Sequence, residues 1–380
     1  MSQRYPGNIV RATPITPTGP FQTGAASGVW TLDQAQYWLR QGLWPTQGVL
    51  PQYIAVGSLN SPFVSAYPWS GSGFGTKFAN PTTLPTGVGY GVAFSPSGSA
   101  LAVAHDTTPF ITAYPWSGSG FGTKFANPAT LPASFALGVA FSPSGNALAV
   151  AHGNSPFVTA YPWSGSGFGT KFANPATLPA GTGFGVAFSP SGNAIAVSHF
   201  NSPFITAYSW SGSGFGTKFA DPATLPVGTG NGVAFSPSGD AIAVAHQSSP
   251  FVTAYPWSGS GFGTKFANPA TLPAGVGRGL AFNPSGNAIA VSNDNSPYIT
   301  AYPWSGSGFG TKFADPATLP TGNPAGLAFS TTGSAVAITH FNSPFITAYS
   351  WSGSGFGAKF SNPATLPDST TTYSVAFTQI

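Results

Sequence analysis

GVAFSPSGNALAVAHGNSPFVTAYPWSGSGFGTKFANPATLPA, residues 138–180, reads as four short strands with the turns between them. GVAF is apolar, and the Ser, Pro, Gly and Asn of SPSGN make a tight reversal, so a first strand (a) ends near Phe141. ALAVAH is a strand b of small residues, GNSP turns the chain, and FVTAYPW alternates as strand c until SGSG stops it. FGTKF is a short outer strand d closed by NPATLP.

The same pattern runs in both directions from this stretch. Trp69, Trp116, Trp163, Trp210, Trp257, Trp304 and Trp351 are spaced by 47 residues throughout, which marks a repeat architecture of seven units. Four antiparallel strands per unit is the blade of a β-propeller, whereas solenoids of this period are helical or use parallel strands. Small residues in strand b and rings in strands c and d suit radial sheets that taper towards an axis. The expected fold class is therefore all-β: a seven-bladed propeller over residues 51–380, preceded by an attachment segment, residues 1–50.

The ends of the array predict how the ring closes. The first unit begins at YIAVGS and lacks a strand a, while the last is followed by a spare one, YSVAFTQI, residues 373–380. That C-terminal strand is expected to lie beside Ile54 to Val56, since an open ring would expose strand edges and an apolar face.

Composition narrows the chemistry. With 50 Gly and 38 Pro in 380 residues an ordinary helical protein is excluded, and with only 5% charged residues so is highly charged disorder. No Cys is present, which removes disulfides, thiolate metal sites and a Cys nucleophile. The acids are all Asp and are scattered singly along the chain, so spacing supports no paired-carboxylate site. GxSxG-like strings arise only from the repeated SGSGFG turns, outside the strand-turn-helix context of a nucleophile elbow. No stretch approaches the ~18 apolar residues of a membrane span, and the N-terminus has no export-signal h-region. No cofactor, metal, membrane insertion or sequence-specific nucleic-acid binding is expected.

Two recurrent residue types carry both a structural and a functional reading. His105, His152, His199, His246 and His340 end strand b, with Ser58 and Asn293 in the other two units. Equivalent positions on neighbouring blades lie too far apart to share one ion with ligands at ~2 Å, so hydrogen bonding within the hairpin is favoured over metal binding. One Lys per unit, as in Lys171, sits in the outermost strand, where it protects an edge from pairing with other molecules. The rival reading, a basic rim for polyanions, rests on widely spaced single charges that make a weak field.

The units differ mainly in two connections. Those from d to a read TGVGY, ASFAL, AGTGF, VGTGN, AGVGR, TGNPA and DSTTT, and the b–c hairpins vary at Leu59, Asp106, Gly153, Phe200, Gln247, Asp294 and Phe341. In an up-and-down blade both emerge on one face. Tyr90, Phe135, Phe184, Phe200 and Phe341, with Asp106, Asn231, Gln247, Arg278 and Asp294 between them, form the candidate ligand-binding surface for a sugar or protein. The competing explanation is loop drift under no constraint.

VAFSPSGNAIAVSHFNSPFITAY, residues 186–208, resembles the WD-repeat, YVTN and NHL group of propeller repeats in its apolar triplet, Ser-Pro-x-Gly turn and aromatic third strand. In the N-terminal segment, Thr31 to Gln41 is predicted as a short helix capped by Thr31 and Gln34 and stopped by Gly42 and Pro45. SGVWTLDQAQYWLRQGLWP, residues 27–45, resembles a module of tailed-bacteriophage structural proteins. That resemblance implies attachment to other virion proteins through Trp30, Leu32, Trp38, Leu39 and Trp44. It leads to a non-enzymatic phage virion protein, a decoration or tail appendage made in the host cytoplasm and displaying its propeller for host-surface glycan or virion contacts. A bacterial interaction scaffold and a lyase- or lactonase-type propeller enzyme, with its groups around the central channel, are the alternatives.

Overall fold

The computed structural model describes residues 50–367 and 371–380. The predicted helix over 31–41 and the attachment residues Trp30, Leu32, Trp38, Leu39 and Trp44 lie outside them. Every regular element among the described residues is a β-strand, and the strands form seven antiparallel sheets within the unit Gln52–Ile380. In blade 3 strand a is Ala136–Phe141, strand b Ala147–His152 and strand c Val158–Pro162.

Blade 1 is built from both ends of this unit. Thr372–Gln379 pairs with Gln52–Ser58 in antiparallel register, setting Phe377 opposite Ile54, Ala376 opposite Ala55 and Val375 opposite Val56. The inner strands then neighbour one another in a closed cycle, from Pro324–Phe329 to Thr372–Gln379 and on to Gly89–Phe94. The seven-bladed ring and its closing strand are thus as the repeat pattern predicts.

The blades are locked together by one aromatic device used seven times. Each strand-c Trp is met edge-on by three Phe rings. Trp163 has Phe141 and Phe168 of its own blade and Phe125 of the preceding one, each at a centroid distance of 5.2 Å. Such edge-to-face pairs add about 0.5–1.5 kcal/mol each beyond the area they bury. The strand-c Tyr is fully buried, and its hydroxyl donates to a carbonyl of the connection that ends the preceding blade, as Tyr161 does to Thr130 at 2.8 Å. The closing interface repeats both features across the ends of the chain. Tyr67 donates to the Thr365 carbonyl at 3.0 Å, and Trp69 meets Phe360 and Phe377 at 5.1 and 5.2 Å.

Strand d depends on one residue of strand c. Where strand c reads Tyr-Ser-Trp, at Ser209 and Ser350, strand d extends over Phe215–Lys218 and Gly355–Lys359. Where Pro takes that place, strand d shrinks to two residues or to a single bridge such as Trp163 with Phe168. Pro has no N–H to give a ladder, so pairing stops there. The strand-d Lys reaches the Asn or Asp three residues on, for example Lys77 to Asn80 at 2.8 Å and Lys218 to Asp221 at 2.5 Å.

Near the axis the inner strands crowd together, and glycine makes this possible. A Cβ on Gly138 would stand 2.5 Å from the Phe184 carbonyl oxygen of the next blade. In blade 1 the corresponding inner-strand residue is Ser374, and its cross-strand partner is Gly57 where three other blades have Ala104, Ala151 and Ala245. A Cβ on Gly57 would lie 2.8 Å from the Ser374 hydroxyl and 2.5 Å from the Gly89 carbonyl oxygen. The small residue has therefore changed strands. Gly57→Ala should lower stability by about 1–3 kcal/mol, the cost of overpacking, and adding Ser374→Gly should restore part of the loss, since the contact with the Gly89 carbonyl remains. Thermal melts of the two single variants and the double variant check this; additive losses would contradict it.

Candidate functional site

Each inner strand opens with a β-bulge, seen as a register shift between Gly183 and Gly185 in blade 4 and at the matching place in the others. A bulge re-aims the side chain at the break. Here it points one residue per blade into the mouth of the channel: Tyr373, Tyr90, Leu137, Phe184, Asn231, Arg278 and Ala325, in order round the ring. Together with Phe341 these line a cavity of roughly 480 Å³, with Val92, Val139 and Leu280 among the apolar residues of its wall. That volume suits a small ligand.

Sixteen residues after each mouth residue in blades 2 to 7 comes the variable position of the same blade's b–c hairpin. The hairpins lie against the d–a connections: the Phe200 N–H donates to the Thr182 carbonyl and the Phe341 N–H to that of Asn323, both at 3.0 Å. The two variable positions of a blade therefore come together at its top. In blade 6 they are an ion pair, Arg278 Nε to Asp294 Oδ1 and Arg278 Nη2 to Asp294 Oδ2, both 2.7 Å. Two of the five guanidinium N–H groups are used in this way, and three remain for a ligand. Next to it, Asn231 Nδ2 donates to the Gly277 carbonyl at 2.8 Å, leaving Oδ1 as an acceptor.

Blades 7, 1 and 2 supply an aromatic arc. The Tyr90 and Tyr373 ring centroids are 4.7 Å apart, and Phe341 meets Tyr373 edge-on at 5.6 Å. Burial raises both phenol pKa values above the ordinary value, helped at Tyr90 by Tyr373 and at both by the charge of Asp106, so both are neutral at pH 7. Asp106 Oδ1 accepts from the Val88 N–H at 2.9 Å and from the Thr107 hydroxyl at 3.0 Å.

Of the candidate surface residues, Tyr90, Phe184, Asn231, Arg278 and Phe341 thus meet in one cavity, with Asp106 and Asp294 at its rim. Phe135, Phe200 and Gln247 are not part of its lining. Phe135 lies over Gly153, where an added Cβ would stand 2.2 Å from its ring, and Phe200 is 55% exposed. The sequence reading passed over Leu137, Ala325 and Tyr373. Tyr373 was hidden because it stands 48 residues beyond Ala325, one more than the repeat, so counting by 47 arrives at Thr372. The register Ser58 with Thr372 and Gly57 with Ser374 puts Tyr373 in the bulge.

The five His serve their own blades. Each has its Nε2 within 2.8–2.9 Å of a strand-c Thr hydroxyl, as with His152 and Thr159. In blade 6, Asn293 Oδ1 accepts from Thr300 at 3.0 Å in the same place.

No known family model matches the chain, and no curated protein does. Solved structures do. A candidate 6-phosphogluconolactonase from Bacteroides fragilis superposes with a TM-score of 0.67 at 12% identity, covering 88% of this chain and 100% of that one. A periplasmic gluconolactonase from Pseudomonas aeruginosa gives 0.65 at 17%, covering 86% and 99%. A protein from Lactobacillus plantarum gives 0.68 at 16%, covering 87% and 100%. At these identities the likeness establishes the propeller fold. It also corrects the expectation of a non-enzymatic phage virion protein. Two of these propellers carry lactonase names, and no family model supports the WD-repeat, YVTN or NHL grouping or the phage module. A nineteen-residue likeness outside the propeller carries no information on the chemistry of the channel mouth.

Proposed function

We propose that the chain is a lactonase-type hydrolase acting on a small polyhydroxylated lactone in the mouth of the channel. The observation that carries this reading is one cavity in which Arg278, with three N–H groups to spare, shares the ring of mouth residues with the Tyr90–Tyr373 pair. Tyrosine rings stack on the C–H face of a sugar-derived ring, and the Asn231 amide oxygen accepts from a hydroxyl. The lactonase names of structural neighbours point to the same chemistry.

In that reaction water adds to the lactone carbonyl, the ring C–O bond breaks, the ring oxygen leaves as a hydroxyl and a carboxylate is formed with release of one proton. The negative charge that develops on the carbonyl oxygen is met by the guanidinium of Arg278, which Asp294 holds in a fixed plane. Removing such a donor typically costs ~10²–10³ in rate. Proton release from gluconolactone, followed in weakly buffered solution, should exceed the spontaneous rate, and Arg278→Met should lower kcat/KM about 100-fold. A wild-type rate equal to the spontaneous one, or an unimpaired Arg278→Met variant, would overturn the proposal.

A further inference from the structure

We propose that the mouth selects uncharged lactones against phosphorylated ones, and that Asp106 is the residue that sets this preference. This rests on the lactonase reading above and adds the substrate class.

The argument is a charge count. Arg278 is the sole Arg in residues 51–380, and its guanidinium is already matched by both oxygens of Asp294. The seven Lys of the propeller lie in or beside the outer strand, each bonded to the Asn or Asp three residues further on. Asp106 then adds an unmatched negative charge beside the aromatic arc. Among the described residues the fixed charges of the mouth and rim, Arg278 against Asp294 and Asp106, therefore leave one net negative charge. A phosphate monoester brings a further −1.5 to −2 or so at pH 7. To use Arg278 fully it would also have to displace Asp294 from a bidentate pair.

Asp106 is held in place for this role. Both bonds from Val88 and Thr107 go to Oδ1, which lies over Gly87, where an added Cβ would stand 2.1 Å from it. The carboxylate cannot swing away without breaking them. Burial is the main cause of the raised pKa of both tyrosines on which a ligand ring would stack, and the charge of Asp106 adds to it.

The test compares kcat/KM for gluconolactone and for its 6-phosphate with the full chain at about 20 and 300 mM salt, a range over which screening of exposed charges changes strongly. The expected result is a preference of about 10-fold or more for the uncharged lactone, expressed mainly in KM. The preference should narrow at high salt and again in Asp106→Asn, which keeps the two Oδ1 bonds, through a faster reaction of the phosphorylated compound. Equal or better turnover of the phosphorylated lactone at low salt overturns the inference and leaves the lactonase reading standing. No turnover of either compound overturns both. The salt series needs no variant, so it decides the matter even if Asp106→Asn fails to fold.

Discussion

Removing Tyr373 to Ile380 is expected to abolish cooperative folding and leave aggregated protein. The deletion strips blade 1 of its inner strand and of the pairings from Thr378 opposite Tyr53 to Ser374 opposite Gly57. It takes buried Val375 from the cluster of Ile54, Val56, Tyr67 and Trp69, and Phe377 from the edge of Trp69. Each large core truncation costs about 2–5 kcal/mol, so several at once approach the ~5–15 kcal/mol that separates folded from unfolded domains. The exposed edge of Gln52–Ser58, all buried in the intact protein, would then be free to pair with other chains. Static light scattering and a thermal melt of the truncated protein read both effects. A soluble product with an unchanged melting temperature would show that the ring does not depend on this strand. A milder form is Phe377→Ala, which should cost about 2–3 kcal/mol and leave the protein folded.

Acid should unfold this protein well above the pH at which carboxylates titrate. His105, His152, His199, His246 and His340 are fully buried, and burial lowers each pKa from 6.5 to about 4. In the unfolded chain the same imidazoles take up protons near pH 6.5, so between pH 6.5 and 4 the unfolded state binds more protons. The stability contributed by the neutral rings is therefore complete above pH 6.5 and is lost as the pH falls towards 4. At 1.36 kcal/mol per pKa unit, each ring contributes about 3 kcal/mol. Five together are comparable to the whole stability of a typical domain. Only seven acidic side chains are present, so little else titrates in that window. Urea midpoints should fall steeply between pH 7 and 5. Replacing the five His by Asn, which blade 6 already uses at Asn293 to accept from Thr300, should flatten the dependence. Midpoints that stay level to pH 5 in the unaltered protein would contradict the account.

Much of this architecture can be read before any coordinates are seen. The seven Trp fix the number of blades, the SPSGN and SGSG turns fix the strand ends, and the spare YSVAF fixes the closure, because each is a local pattern repeated in register. Even the length of strand d is written in a Pro-or-Ser choice, although its meaning emerges only from the pairing. The site was legible in part. Tyr90, Phe184, Asn231 and Arg278 stand out because they are the odd residues at one repeated position. Their convergence was not legible, since it depends on a bulge that turns each side chain to a common axis. Nor was the Arg278–Asp294 pair, whose partners belong to two connections sixteen residues apart, or Tyr373, displaced by a single inserted residue. Function was least legible of all: the residues that face a ligand come from different blades and share no linear motif.

A crystal structure with gluconolactone or its ring-opened acid bound would test the central claim most directly. The account predicts the ligand in the channel mouth, its C–H face on Tyr90 and Tyr373 and its carbonyl or carboxylate oxygen within hydrogen-bond distance of Arg278. A ligand bound elsewhere, or an empty mouth at saturating ligand, would contradict it.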